Sequence, residues 1–249
     1  MSAIQILTEE EQASARRGGK ILRGCLEHVA SLVGAGVTTR LLNEKAEAFI
    51  RSHEGAVPAF QGYQGFPTAL CTSINEQCVH GIPSERGLTE GDIISIDCGV
   101  LFEGLYTDAC LTVPVGKVSG EAERLLTVTQ HALDAALQII RKDTKVGDIS
   151  FTIQKIVESA GFHPVRSLTG HGLGKALHQF PDIPNLGSAG TGAAIPVGAL
   201  IAIEPIISAG SDEVIEGSDG WTLSIQDGAL SAHFEHTVLV QAEKCEVIA

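Results

Sequence analysis

Two aspartates, Asp97 and Asp108, flank a predicted β-hairpin near the middle of the chain. Two β-rich segments, Ile93–Val100 and Leu105–Val113, are separated by the turn dipeptide Glu103-Gly104. A turn centred near residues 102–104 would place the two carboxylates nearly opposite each other, where cross-strand Cβ atoms lie about 4.5–5.5 Å apart. Two such acids in an apolar sheet repel unless a cation lies between them, and hard divalent ions prefer oxygen ligands. The hairpin alone leaves open the alternative of two solvated turn aspartates.

The second half of the chain repeats this arrangement in register. The segment Val197–Glu204 echoes Glu90–Asp97, with a glycine, an apolar run and a terminal carboxylate. In the same way, Glu235–Val240 echoes Asp108–Val113. Each half therefore offers two carboxylates on paired strands, and a pseudo-two-fold arrangement would bring all four acids to one centre. Four solvated turn residues would not need such a repeat, so the sequence favours a metal site to which each half contributes.

The overall composition is that of an ordinary globular chain with an acidic balance. The chain has 249 residues, of which 44% are hydrophobic and 19% charged, and it can bury a sizeable core. Its formal net charge of −13 argues against nucleic acid as a partner, because binding a phosphate backbone requires basic patches.

The cysteines and the first residues indicate a reducing compartment. The six cysteines form no Cys-x-x-Cys pair, which is typical of reduced, mostly buried thiols. The segment Met1–Glu10 lacks the basic and apolar regions of a signal peptide, and no window of the sequence approaches a membrane span. We therefore expect a soluble, cytoplasmic protein without a membrane partner.

Helix signals occur in two pairs, one pair before each hairpin. The predicted helices are a segment opened by a capping box of Thr8 and Glu11 and running to about residues 30–33, a segment capped by Thr38 or Thr39 and ending near Ser52, Glu121–Arg141, and Ile149–Ala160 capped by Asp148. No Pro-, Gly- or Ser-rich linker separates the two halves. We predict one α+β domain over residues 1–249, in which four helices back an antiparallel sheet and the acids lie on its other face.

A glycine-rich segment, Thr169–His178, adds two histidines, and one imidazole among four carboxylates is a sensible ligand set for Mn, Fe, Co or Zn. With this segment the chain resembles the methionine aminopeptidases, whose pita-bread fold is shared with prolidases and creatinases. The resemblance covers almost the whole chain and is carried by Ser73–Glu76, His80–Pro83, Asp97, Thr107-Asp108, Gly170–Gly172, Ile203–Pro205, Asp219–Trp221 and Phe234–Thr237. The short interval between His171 and Glu204 is similar to that of the type I enzymes.

The resemblance implies two divalent metal ions, with Co, Mn, Fe and Zn as the candidates, and a role for each ligand. Asp97 would hold one ion. His171 and Glu204 would hold the other, and Asp108 and Glu235 would bridge both.

Three side chains would take part in the reaction that the resemblance implies. A water molecule acidified by the two cations would attack the scissile carbonyl, and Glu204 would shuttle its proton. His80 and His178 would contact the substrate amide and the tetrahedral intermediate. Without the motif context, His80 would be a turn residue and His178 a solvated loop residue.

The same resemblance predicts a pocket for a methionine side chain. The predicted substrate-binding residues are Phe60, Tyr63, Phe66, Cys71, His80, Leu177, His178 and Trp221. Two of them depart from the family pattern, since Phe60 stands where a cysteine is common and Leu177 where a phenylalanine precedes the second histidine. Compared with the family pattern, the pocket thus has an aromatic ring at position 60 and lacks one at position 177. We expect a polar role beside the ligands for His233, where the family often has glutamine, and a satisfied core position for His236.

The leading hypothesis is a dinuclear methionyl aminopeptidase that removes the N-terminal methionine from nascent proteins whose second residue is small. One alternative is an enzyme of the same fold that cleaves Xaa-Pro or other dipeptides. The Tyr63/Trp221 pocket and the missing N-terminal domain of prolidases argue against it. A non-catalytic pita-bread binding protein is a second alternative, and the intact ligand set argues against that. The expected partners are peptide and nascent-protein N-termini, a transient ribosome contact is left open, and we expect a monomer.

Overall fold

The helices of the protein form two consecutive pairs in residues 3–249, the part of the chain that the computed structural model describes. They are α1 (Glu9–Ala30), α2 (Thr39–Arg51), α3 (Gly120–Ile139) and α4 (Val146–Ser159), and a short 3-10 helix spans Tyr63–Gly65. All four predicted helices are confirmed, and their ends lie within about three residues of the predicted ends. No helix in the described range is both long and apolar enough to cross a membrane.

Side chain–backbone hydrogen bonds determine where the helices begin. Thr8 forms the predicted capping box: its hydroxyl accepts from the Glu11 N–H at 3.2 Å, and the Glu11 carboxylate accepts from the Thr8 N–H at 2.8 Å. Thr38 is the cap of α2. The prediction for Asp148 is wrong, because Asp148 is the third residue of α4 and accepts from the backbone N–H of Lys145, where the helix begins. A carboxylate is favoured anywhere in a first helical turn, so this signal did not locate the cap.

Fifteen strands form three sheets in the described residues. The strands are β1 (Ala56–Pro58), β2 (Leu70–Ile74), β3 (Gln77–Val79), β4 (Ile93–Phe102), β5 (Leu105–Pro114), β6 (His163–Pro164), β7 (Thr169–Gly172), β8 (Gln179–Pro184), β9 (Leu200–Ile203), β10 (Ile206–Ser208), β11 (Val214–Glu216), β12 (Leu223–Ile225), β13 (Ser231–His233), β14 (Glu235–Val240) and β15 (Cys245–Val247). The largest sheet has the order β1-β4-β5-β14-β9-β7-β8, with β2 also paired to β4 and β15 to β14. The smaller sheets have the orders β13-β10-β6 and β11-β12-β3.

The middle of the large sheet carries the predicted internal symmetry. Strands β4 and β5 form the first hairpin, β9 and β14 pair as its counterpart, and β5 and β14 lie side by side between them. All of these pairings are antiparallel, and Glu235 of β14 stands opposite Cys110 of β5. An approximate two-fold axis that relates Asp108 to Glu235 therefore runs between β5 and β14.

The register of the β4–β5 hairpin corrects the expected position of its two aspartates. The turn Glu103-Gly104 has left-handed backbone angles, with φ of 49° and 78°, as a two-residue type I′ turn requires. This turn pairs Asp97 with Cys110, and Asp108 with Gly99. The two carboxylates are therefore diagonal neighbours on one face, for which ideal separations are about 7–8 Å. The prediction had placed them nearly opposite each other, at about 4.5–5.5 Å.

Threonine hydroxyls bridge β5 to the segment that contains β13 and β14, and we call this contact the seam. The Thr237 hydroxyl accepts from the Asp108 N–H at 2.9 Å and donates to the Asp108 carbonyl at 2.6 Å. Thr112 does the same for His233, with distances of 2.9 and 2.7 Å. All four residues are buried. Each hydroxyl therefore satisfies two buried backbone groups that a regular ladder would otherwise have to pair.

Each half of the chain has its own apolar core between its helix pair and the back of the sheet. In the first half, Leu22 and Leu42 pack with Ile94 and Ile96 of β4. In the second half, α3 and α4 pack on β9 and β14. Strand alternation then turns Asp97 to the opposite face, as predicted. The six cysteines are free, and five of them are buried, which also agrees with the prediction.

Replacing Thr237 tests the seam. Thr237→Val keeps the side-chain shape but leaves the N–H and carbonyl of Asp108 without a partner. We expect the free energy of unfolding to fall by about 2–4 kcal/mol, since each buried unpaired group costs about 1–3 kcal/mol. Thr237→Ser keeps the hydroxyl and is the matched control. Urea denaturation measures both variants, and equal stability of the two would show that the hydroxyl does not hold the seam.

Candidate active site and metal centre

Five adjacent strands of the large sheet deliver the predicted metal ligands to one place. Asp97 lies on β4, Asp108 on β5, Glu235 at the start of β14, Glu204 directly after β9, and His171 on β7. These strands are consecutive neighbours in the order β4-β5-β14-β9-β7. The ligands are far apart in sequence and become neighbours only through the pseudo-symmetric sheet.

A cavity of about 290 Å³ lies in front of these strands. Every residue that the sequence predicted for the site lines it, including the five ligands, His80, His178 and the six other residues of the side-chain pocket. The remaining lining residues are Gln64, Val79, Ser167, Leu168, Thr169, Ile206 and His233. Apart from His233, these were not singled out from the sequence, because small polar and aliphatic side chains are equally common in ordinary cores and loops.

The four carboxylates are crowded and incompletely hydrogen-bonded. The atoms Asp97 Oδ1, Asp108 Oδ1 and Glu235 Oε1 are buried and have no partner among the described residues. Burial raises the pKa of Asp97 to about 7. Burial first, and the charge of the other acids second, raise the pKa of the remaining three carboxyls well above their ordinary values. Ionising this cluster therefore requires positive charge nearby.

The described part of the chain offers no side-chain cation for this purpose. No lysine or arginine is among the residues that line the cavity there. Burial lowers the pKa of His171 to about 4 and that of His233 to about 3, so both imidazoles are neutral at pH 7. Unpaired carboxylate oxygens beside neutral imidazoles are the donor set that divalent transition metals bind. The residues present therefore fit a metal centre.

His171 is oriented as a nitrogen ligand. Its Nδ1 lies 3.0 Å from the Gly172 carbonyl, which can only accept, so Nδ1 carries the proton and Nε2 keeps a free lone pair. That Nε2 lies 3.6 Å from Glu204 Oε1. One ligand atom each from Asp108, His171 and Glu235 lie within 4.8 Å of one another. This spacing suits a single divalent cation held by nitrogen and oxygen donors.

Two further histidines line the cavity beside the acids. His178 Nδ1 lies 3.0 Å from the Tyr63 hydroxyl. His80 has a φ of 59°, a left-handed angle that costs a non-glycine residue about 1–3 kcal/mol. A Cβ on the following Gly81 would lie 2.2 Å from the Thr72 carbonyl oxygen, so only glycine allows the close packing on β2 that holds His80 in place. Reduced contact with water lowers the pKa of both histidines, which leaves each neutral at pH 7 with one N–H to donate.

An aromatic cluster forms another wall of the cavity. It consists of the buried residues Ala59, Phe60, Phe66, Cys71 and Leu177, with Tyr63, Ile82, Tyr106 and Trp221 packed against them. The rings of Phe66 and Trp221 meet edge to face, with centroids 5.1 Å apart. Phe60 and Leu177, the two departures from the family pattern, share this cluster. A Cβ on Gly99 would lie 2.7 Å from the Phe60 ring, so a glycine in β4 makes room for that ring.

The two histidines near the end of the chain have different surroundings, as expected. His233 faces the acids: its Nε2 lies 3.6 Å from Glu204 Oε2 and 3.8 Å from Glu235 Oε2, which is too far for a hydrogen bond. His236 is partly buried, and its Nδ1 donates to the Ala249 carbonyl at 2.7 Å.

Buried acids and an imidazole on one face of such a sheet form a ligand set that is typical of metal-dependent hydrolases. In agreement, residues 13–242 match the model of metallopeptidase family M24, and the chain belongs to that family. Within it, the similarity is to aminopeptidases: the methionine aminopeptidase of Clostridium perfringens is 42% identical over 245 residues, which make up 98% of each chain.

Comparison with solved structures also shows similarity to methionine aminopeptidases. The methionine aminopeptidase of Thermotoga maritima superposes with a TM-score of 0.97 at 38% identity, and that of Rickettsia prowazekii with 0.96 at 39% identity. Each comparison covers 99% of both chains. These findings confirm the predicted α+β pita-bread fold and the resemblance to methionine aminopeptidases.

The metal-free protein should lose stability as the pH rises through neutrality. The acids have folded-state pKa values above those of the unfolded chain, for Asp97 about 7 against 3.8, so the folded state binds more protons and is destabilised as they leave. The histidines whose pKa is lowered by burial have the opposite effect, which is nearly complete one pH unit above their unfolded-state value of 6.5; they are His80, His171, His178, His233 and His236. Between pH 7.5 and 8.5 the acids therefore determine the sign.

Urea denaturation of chelator-treated protein at pH 7.5 and pH 8.5 measures this effect. We expect a decrease on the order of 1–2 kcal/mol, because each differentially bound proton changes stability by up to about 1.4 kcal/mol per pH unit. Asp97→Asn should reduce the decrease, and protein loaded with a divalent cation should lack it. Metal-free protein that is equally stable at both pH values would contradict the crowding of the acids.

Proposed function

We propose that this chain is a metal-dependent aminopeptidase that removes methionine from the N-terminus of peptides and nascent proteins whose second residue is small. The observation that carries this function is a single cavity in which the acids and His171 adjoin an aromatic pocket. The acids and histidines supply hydrolytic chemistry, and the pocket supplies recognition of one side chain. The similarity to methionine aminopeptidases over the whole length supports the same activity.

Five side chains would hold two divalent ions, with Co, Mn, Fe and Zn as the candidates. Asp97 would bind one ion, His171 and Glu204 the other, and Asp108 and Glu235 both. The unpaired carboxylate oxygens and the free lone pair on His171 Nε2 support this assignment. When bound, such ions lower the pKa of a water molecule and polarise a carbonyl oxygen.

Glu204 is the proposed proton carrier. Its side chain is 11% exposed, whereas that of Glu235 is 3% exposed, so Glu204 is the glutamate that a bound peptide can reach. A carboxylate in this position can take a proton from the attacking water and pass it to the leaving amine.

His80 and His178 are the proposed hydrogen-bond donors to the reacting amide. Both are neutral, so each has one N–H. When the Tyr63 hydroxyl donates to His178 Nδ1, the proton of that ring lies on Nε2 and is free for the substrate. A donor placed where negative charge develops on the tetrahedral intermediate lowers the barrier.

Methionine suits the aromatic pocket for physical reasons. Its side chain is unbranched and flexible, and its sulfur makes contacts with ring edges worth about 0.3–1.5 kcal/mol. Phe60, Phe66 and Trp221 supply rings around one apolar space. Phe60 and Leu177 together fill part of that space, so they would set the depth available to the substrate.

We further propose that residues 1–249 act as one catalytic domain, because the large sheet continues from one half into the other. A monomer is sufficient for this function, since one chain supplies the ligands, the histidines and the pocket. The free thiols support a place in the cytoplasm. A transient contact with the ribosome would give access to nascent N-termini.

Peptide turnover tests this function. Metal-loaded protein should release methionine from Met-Ala-Ser and leave Ala-Pro and Leu-Gly peptides largely intact, as followed by mass spectrometry. N-acetylated Met-Ala-Ser is the matched control, because an aminopeptidase requires a free N-terminus. Preferential cleavage of Ala-Pro would assign an Xaa-Pro activity instead, and no cleavage of any peptide would indicate a binding protein.

His178→Ala should fold and retain metal but lose about 10²–10³ in kcat with little change in KM. The reason is that a hydrogen bond formed mainly to the tetrahedral intermediate acts on the transition state alone. Steady-state kinetics on Met-Ala-Ser measure the effect, with His131→Ala, an exposed position on α3, as the control. An unchanged kcat with a raised KM would make His178 a residue that binds the ground state.

A further inference from the structure

One buried imidazole at the metal centre has no partner. His233 is 2% exposed, and its Nε2 makes no hydrogen bond within residues 3–249. A buried polar atom left unpaired costs about 1–3 kcal/mol, so a nitrogen in this place requires an explanation. It lines the same cavity as the ligands and faces the carboxylates of Glu204 and Glu235.

The two carboxylate oxygens of Glu204 lie at equal distances from two histidine nitrogens. Its Oε1 lies 3.6 Å from Nε2 of His171, and its Oε2 lies 3.6 Å from Nε2 of His233. In a five-coordinate site with bonds of about 2.1 Å, neighbouring ligand atoms are separated by about 3.0–3.6 Å. Both separations are therefore close to those of atoms that share a cation and longer than those of a hydrogen bond.

The backbone of His233 is held rigidly. The Thr112 hydroxyl pairs with both its N–H and its carbonyl, and the Ser95 hydroxyl lies 2.8 Å from that of Thr112. Thr112 and Ser95 are both buried. A side chain on a support of this kind is positioned in advance, as metal ligands usually are.

We propose that His233 is a sixth protein ligand of the metal centre, which coordinates through Nε2 the cation shared by Glu204 and Glu235. The proposal rests on the proposed metal-dependent function and extends its ligand set. A second imidazole makes the donor set richer in nitrogen, which favours Zn, Co and Fe over Mn and Mg. The metal preference of this chain therefore depends on His233.

Ring-nitrogen NMR of the protein labelled with ¹⁵N-histidine tests the coordination directly. On adding Zn²⁺ to chelator-treated protein, we expect the Nε2 signals of two histidines, His171 and His233, to shift to the position of metal-bound imidazole. His233→Gln keeps a polar side chain without the imidazole and should remove one of the two shifted signals. His131→Gln, on the exposed face of α3, is the matched control and should keep both.

Metal affinity is the second measurement. His233→Gln should weaken Zn²⁺ binding by about 10–100-fold and Mn²⁺ binding by less, so that the preference for Zn²⁺ falls, whereas His131→Gln should leave both unchanged. A single shifted histidine in the zinc-loaded wild-type protein would overturn the proposal, even if His233→Gln binds metal more weakly, because His233 would then only position Glu204. That result leaves the proposed function intact. A wild-type protein that binds no Zn²⁺ would overturn both.

Discussion

Repulsion among four carboxylates that are largely withdrawn from water is the constraint on which the rest of this structure depends. Burial and mutual charge raise the pKa of Asp97, Asp108, Glu204 and Glu235, and no lysine or arginine among the described residues lines their cavity. A cluster of this kind is unfavourable when ionised in isolation and becomes favourable when cations occupy it. Without metal, the ionised acids therefore destabilise the fold, and metal binding removes this electrostatic cost.

The pseudo-two-fold sheet explains how one chain assembles such a cluster. Each half contributes two acids from paired strands, and each half has a separate apolar core behind it that fixes those strands. The halves meet at the seam, where Thr237 and Thr112 satisfy the backbone of Asp108 and of His233. Two residues that line the cavity beside the acid cluster, Asp108 and His233, are thus held by neutral hydroxyls, which add no further charge there.

Much of this arrangement could be predicted from local sequence patterns, and the parts that could not depend on contacts between distant residues. The capping box of Thr8 and the alternation around Asp97 are local, and both are confirmed. The turn dipeptide Glu103-Gly104 is also confirmed, but the nearly opposite placement of Asp97 and Asp108 was wrong, because a two-residue turn at these positions offsets them by two residues. Thr237 belongs to a family motif, but its contact with Asp108 could not be predicted, since the two residues are distant in sequence. Likewise, only the family resemblance suggested that Phe60 and Leu177 lie close together, and the structure shows both in one cluster.

The number of divalent ions bound per chain tests most directly whether the acid cluster is a metal centre. Protein dialysed against a divalent cation and then measured by elemental mass spectrometry should contain about two ions per chain. Asp108→Asn, which removes the charge of a proposed bridging ligand but keeps its shape, should contain clearly fewer and lose peptidase activity together with the metal. Wild-type protein that hydrolyses Met-Ala-Ser at full rate without bound metal would contradict the account, and so would an Asp108→Asn variant that keeps two ions and normal turnover.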